Sequence, residues 1–237
     1  EMLPRTFVFV GVVIVFGAHS TLCQTTSTKE EMVYFGAGCF WHVQHALALA
    51  EGKILGRSPQ EYTAVAGYAG SKAVGRDGKV CYHNIAGDSD YGQLGYSEAV
   101  GLQIPSDKIS EFAKPFFNLL VDGERADPQD RGPEYRSIIG LPGGMSSPDF
   151  PAFQAEAAAR GMTLARGAGG DPDTLGRRTV YVYDSDAFPL HQGEVFHQFH
   201  DDMSERYGAA YNALRGGAVR RGALVPTGCP RDGPPPP

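Results

Sequence analysis

Residues 32–50, MVYFGAGCFWHVQHALALA, pass from one regular structure to another within a few positions. Met32 to Gly36 is short, β-branched and aromatic, the composition of a buried strand. From Cys39 to about Ala50 the apolar positions take helical spacing. Between the two, Gly36-Ala37-Gly38 lets the chain turn and lets other groups approach closely. Cys39 therefore stands at the first turn of a helix, where unpaired N–H groups favour an anion. Its pKa is expected to fall below the free-cysteine value of ~8.5. Phe40 and Trp41, the chain's one tryptophan, offer apolar walls beside the sulfur.

Working outward, strands are predicted at Glu61–Gly67, Tyr96–Gln103, Glu134–Leu141 and Arg178–Asp184. Helices are predicted at Ser106–Leu120, with Ser106 as N-cap, at Pro148–Arg160 and at Glu194–Arg215. Ser71–Gly95, rich in Gly and Asp and without period, reads as an ordered loop. Strands alternating with helices, at spacings too long for hairpins, imply an α+β fold: a two-layer sandwich around a central mixed sheet, with a ferredoxin-like core and long ordered loops.

The chain has 237 residues, 42% of them hydrophobic, enough for one globular domain, assigned to residues 31–215. Arg5 followed by Phe7–Ala18 (FVFVGVVIVFGA) reads as a signal peptide over residues 1–23, with Met2 as initiator and 24–30 as linker. The apolar run is shorter than the ~20 residues that span a bilayer, so entry to the secretory pathway or an extracellular location is expected, with a signal-anchor as the alternative. Residues 216–237 are Gly-, Arg- and Pro-rich and read as a flexible tail. Net charge is -6 and the 21 basic residues form no cluster, which argues against nucleic acid as a partner.

Four cysteines remain: Cys23, Cys39, Cys81 and Cys229. Cys23 is expected to leave with the leader. Three in the mature chain make neither a disulfide scaffold nor a zinc spacing, and an odd number implies a free or exchanging thiol. His197 and His200, with Asp201 and Asp202, form an HxxH pair lacking an evident third ligand, so no metal is expected. Gly75–Lys79 lacks phosphate-loop spacing.

Five separated blocks stand in one order: GCFW (38–41), VAGYAG (65–70), VCYH (80–83) with YGQLGYSEAV (91–100), DRGPEYRS (130–137) and EVFHQ (194–198). Together, over roughly Met32 to Met203, they resemble the methionine sulfoxide reductase A family. That resemblance implies Cys39 as nucleophile and Phe40 and Trp41 as the pocket for the substrate methyl group. It implies Glu98 as the acid on the sulfoxide oxygen, Tyr82 and Tyr135 as hydroxyl donors to it, and Asp130 as an ordering carboxylate. The expected reaction is reduction of methionine-(S)-sulfoxide, free or in proteins, by a monomer using no cofactor, with a thioredoxin-like protein or small dithiol as reductant. A second thiol must resolve the Cys39 sulfenic acid. Cys229, in the tail sequence VPTGCPRDG, is the expected resolver, and Cys81, beside Tyr82, the alternative.

The chemistry also follows from the residue types. A sulfoxide sulfur is a poor electrophile until its oxygen is protonated or strongly hydrogen-bonded. A carboxylic acid among aromatic walls is desolvated, keeps its proton toward neutrality and can donate it. Phenols add neutral donors where charge develops. The chain departs from the family pattern at Tyr96-Ser97, where a histidine and a small residue usually precede the glutamate, and at His42, commonly glycine. Tyr96 is expected to close or reshape the pocket. Two other functions fit the same residues: a secreted binding protein of this fold without catalysis, and a thiol peroxidase or disulfide exchanger using Cys39 and Cys229. Only the reductase should consume one sulfoxide epimer.

Overall fold

The structure, a computed structural model, describes Met2 and residues 28–230. The signal peptide read over residues 1–23 thus lies outside the described residues, apart from Met2. In chain order the elements are β1 Glu30–Gly36, α1 Phe40–Leu55, β2 Val65–Ala69, β3 Ser97–Pro105, α2 Ala113–Phe117, β4 Leu120–Val121, β5 Glu124–Arg125, β6 Ile138–Leu141, α3 Phe150–Ala159, β7 Thr163–Arg166, β8 Thr179–Asp184, β9 His191–Gln192 and α4 Ala209–Arg220. Seven strands form one sheet in the order β7-β8-β6-β1-β3-β2-β9, while β4 and β5 pair separately. The sheet is mixed: β8 runs parallel to β6 and β7, and the other pairings are antiparallel. The fold is α+β, as the spacing of elements implies.

Alternation along the strands decides which face each side chain takes. Val33, Phe35, Val100, Leu102, Ile104, Ile139, Leu141, Val180 and Val182 enter the main core, to which the helices contribute Val43, Leu47, Phe116, Phe117 and Phe153. Phe35 sits at its centre, 5.3 Å from the Phe116 ring and 5.9 Å from that of Phe153. Tyr34, Ala99, Ile138 and Tyr183 form a second, smaller cluster. Near it Arg136 is wholly buried, and its guanidinium donates to the carbonyls of Gly70, Gly95 and Pro133 and to the Tyr183 hydroxyl. Arg136→Met removes the donor from three carbonyls at once. It is expected to lower unfolding free energy by about 3 kcal/mol, and an unchanged denaturant midpoint would contradict this role.

Several elements differ from the expectations above, each for a local reason. Glu61 is held in a capped turn by Ser58, so the second strand starts only at Val65. The helix expected over Ser106–Leu120 is a 3-10 turn at Ile109–Phe112 followed by the short α2, and Ser106 caps neither. Pro133 opens another turn, which shortens the strand expected from Glu134 to Ile138–Leu141. The helix expected from Glu194 begins only at Ala209: Phe199 has φ 50°, and the side chain of Asp201 accepts the N–H of Tyr207. The flexible tail read from residue 216 onward is also corrected over 216–230. There α4 continues to Arg220, Gln192 exchanges hydrogen bonds with Val225, and Cys229 is covalently anchored. Among the described residues no helix is long and apolar enough to cross a membrane.

Candidate active site

Two glycines bring the end of β1 against its neighbours. A Cβ on Gly36 would lie 2.5 Å from the Glu98 carbonyl oxygen on β3, so this position must lack one. Gly38 takes φ +84°, and a Cβ there would lie 2.6 Å from a carboxylate oxygen of Asp130. The turn thereby seats the start of α1 on two acids. The Cys39 N–H donates to Asp130 Oδ2 at 2.8 Å, and the Phe40 N–H donates to Glu98 Oε2 at 2.8 Å.

This arrangement corrects the expectation of a low Cys39 pKa. Two of the helix-terminal donors that would favour a thiolate are already engaged by carboxyls. Burial and the nearby Glu98 push the thiol well above its ordinary value, and the Trp41 N–H only partly opposes them. Cys39 is free and rests as a thiol. Glu98 is 1% exposed. Burial pushes its pKa up to about 8, against the lowering effect of the Phe40 N–H and the Tyr91 hydroxyl, which donates to Oε1 at 3.2 Å. At neutral pH the Glu98 carboxyl therefore carries its proton.

Cys39, Phe40, Trp41, Tyr82, Glu98, Asp130 and Tyr135 all line one cavity of about 260 Å³, together with His42, Asp127, Asp202 and Met203. Burial raises the pKa of Tyr135, which stays a neutral hydroxyl. Its backbone is fixed by Arg125, which donates to the Tyr135 carbonyl and pairs with Asp173, and Asp173 in turn accepts the Gly132 N–H. Tyr82 lies 6.3 Å from the Phe40 ring and 4.4 Å from that of His197. Its backbone N–H donates to Glu194 Oε1 at 2.8 Å.

Sequence reasoning missed Tyr91, Arg125, Glu194 and Tyr68 as site-building residues. Tyr68, Tyr91 and Glu194 sit inside quoted motif blocks, which was the available signal. His197 was weighed only as a metal ligand, whereas its ring packs on Phe40, Trp41 and Tyr82. Tyr96 does not line the cavity, contrary to expectation. It is buried with its ring edge-on to His191, 5.3 Å away, and Ser97 instead ties β3 to the carbonyls of Glu134 and Arg136.

The two candidate resolving thiols are bonded to each other: Cys81 and Cys229 form a disulfide across 148 positions. Neither is a free thiol in this state. Among the described residues, one group of potential metal ligands has its donor atoms close enough for an ion, namely Cys81, Glu194 and Cys229, and its two sulfurs are those of the disulfide.

No family model and no curated protein matches the chain. Among solved structures it is similar to Mxr1 from Saccharomyces cerevisiae in reduced form, at 17% identity over 71% of this chain and 82% of that one, with a TM-score of 0.46. It is also similar to the methionine sulfoxide reductase A of Corynebacterium diphtheriae, at 19% identity over 71% and 72% of the two chains, with a TM-score of 0.44. Likenesses at this level leave the function to be argued from the side chains around Cys39.

Proposed function

We propose that this protein is a thiol oxidoreductase that reduces methionine-(S)-sulfoxide, free or within proteins, to methionine. One observation carries the reading: a free thiol, Cys39, shares a cavity with a buried carboxyl, Glu98, whose pKa is pushed up to about 8. Glu98 donates its proton to the sulfoxide oxygen, helped by the hydroxyls of Tyr82 and Tyr135, while Phe40 and Trp41 receive the methyl group. The Cys39 sulfur attacks the sulfoxide sulfur, and the thiol proton passes to the vacated Glu98 carboxylate. The oxygen then passes from the substrate sulfur to the Cys39 sulfur as the bond between the two sulfurs breaks, leaving a sulfenic acid on Cys39 and releasing methionine. Two electrons have moved from Cys39 to the substrate, and Glu98 ends as it began.

Cys81 then attacks the sulfenic sulfur, water leaves, and exchange with Cys229 returns Cys39 as a thiol. The Cys81–Cys229 disulfide supports a final pair made of these two sulfurs. Cys81 acts first because it directly precedes Tyr82, a wall of the cavity. A thioredoxin-like protein or small dithiol reopens the pair, and the leader read in residues 1–23 favours work in the secretory route.

The test is single turnover: pre-reduced protein, no added reductant, each epimer of methionine sulfoxide supplied separately. Methionine is expected from the (S) epimer alone and from neither epimer with Cys39→Ser. Equal consumption of both epimers, or turnover by the serine variant, ends the proposal. Peroxide reduction without sulfoxide reduction would favour a thiol peroxidase instead.

A further inference from the structure

A second chemical site lies behind Tyr82. The residues of the Cys81–Cys229 disulfide are 2% and 7% exposed, and Glu194, at 1%, is more deeply buried still. The two sulfurs and a carboxylate oxygen of Glu194 all lie within 4.8 Å of one another. Glu194 is held in place from two elements: the Tyr68 hydroxyl donates to Oε2 at 2.6 Å and the Tyr82 N–H donates to Oε1 at 2.8 Å. Two small cavities of about 170 and 160 Å³ reach the pair from the surface, one lined by Cys81 and the other by Cys229.

Thiol–disulfide exchange at such a place has a proton problem in both directions. An attacking thiol must lose its proton, because the thiolate is the nucleophile. A sulfur that leaves a disulfide departs as a thiolate, and burial disfavours that anion unless a proton reaches it. Of the titratable groups around the pair, the Tyr68 hydroxyl touches Glu194 directly, Tyr82 meets it through its backbone N–H, and His197 shares its turn. Lys79 and His191 line the cavity at Cys229, and Arg76, Asp77, Lys79 and Asp88 line the one at Cys81. Among the described His, Asp and Glu residues, Glu194 alone has a side-chain ligand atom within 4.8 Å of both sulfurs.

We propose that Glu194 is the proton acceptor and donor for the Cys81–Cys229 pair. It takes the thiol proton when Cys81 attacks a sulfur, and gives a proton to the sulfur that leaves when a dithiol opens the bond. In that reduction a reductant thiol gives its proton to Glu194 and attacks the disulfide as thiolate, forming a mixed disulfide and releasing the other cysteine, which Glu194 then protonates. The second reductant thiol then breaks the mixed disulfide, and the reductant departs as its own disulfide. Two electrons and two protons pass to the pair, and Glu194 relays one of those protons. The step needs no sulfoxide, so it stands or falls apart from the reaction at Cys39.

The experiment follows reduction of the oxidised full-length protein by dithiothreitol from pH 5 to 9, with alkylation and peptide mapping to count thiols at Cys81 and Cys229. Glu194→Gln is expected to slow reduction on the order of 10²-fold and to leave a pH dependence that merely follows the thiolate fraction of dithiothreitol. Glu194→Asp should restore part of the rate. The wild-type rate and pH profile persisting in Glu194→Gln would overturn the proposal. A measurement without any change at 194 guards against a variant that fails to fold: in reduced Cys39→Ser protein, thiolate absorbance near 240 nm should titrate in two coupled steps. A single step at the free-cysteine value of ~8.5 would also overturn it.

Discussion

Glu98→Gln protein is expected to fold, and to lose first-turnover sulfoxide reduction on the order of 10²–10⁴-fold. An amide is nearly the same shape. Its carbonyl oxygen can accept the Phe40 N–H, and its NH2 can donate to the Tyr91 oxygen, so packing at this position survives. What disappears is a transferable proton. Wild-type protein should show the same dependence through pH: the acid form of Glu98 is lost as pH rises through about 8, so the single-turnover rate falls there. An enzyme limited by thiolate formation at Cys39 would instead speed up with pH, which makes the sign of the profile the decisive reading. Stability carries a linked signature. Glu98 keeps its proton in the folded chain up to about 8 but releases it near 4.5 when unfolded. Its contribution to stability is therefore full below 4.5 and lost as pH rises toward 8. The glutamine variant lacks that slope, and should gain stability relative to wild type across this window in paired thermal melts.

The second large effect is a stoichiometry. Protein with all three described cysteines reduced should yield two equivalents of methionine without added reductant. The first turnover is resolved onto Cys81–Cys229, and the second leaves Cys39 as sulfenic acid. Protein prepared with the Cys81–Cys229 disulfide intact should yield one equivalent, as should Cys229→Ser, whose Cys39 is retained by Cys81. Quantifying methionine against protein distinguishes one from two without kinetic modelling. Two equivalents from the disulfide form would mean that another group regenerates Cys39, and the assigned order of thiols would be wrong.

How much of this was legible beforehand depends on sequence distance. The β1-to-α1 turn was readable because its instructions are local: a β-branched run, two glycines and an apolar helical face. Cys39, Glu98, Tyr82, Tyr135 and Asp130 were named from short motifs, and the structure gathers them around one cavity. The charge state of Cys39 was misread because a helix start was visible, whereas the two carboxyls capping it come from 91 and 58 positions away. Strands β7 and β9 are too short to announce themselves, and they exist because β8 and β2 offer them edges. Residues 216–230 have the composition of a tail, and composition says nothing of a sulfur 148 positions upstream.

That bond has a topological meaning. It closes most of the chain, Cys81 through Cys229, into a covalent ring, so every catalytic cycle as proposed opens the ring and shuts it again. Chain-entropy reasoning puts closure of a loop this long at about 5 kcal/mol of stabilisation. The protein would then alternate between a locked form that is rugged but cannot resolve Cys39, and a linear form that can resolve it but unfolds more easily. An enzyme waiting for oxidised substrate in its linear form is at its most fragile when it is most ready to work. A scarcity of reductant would stall turnover and preserve the fold at once.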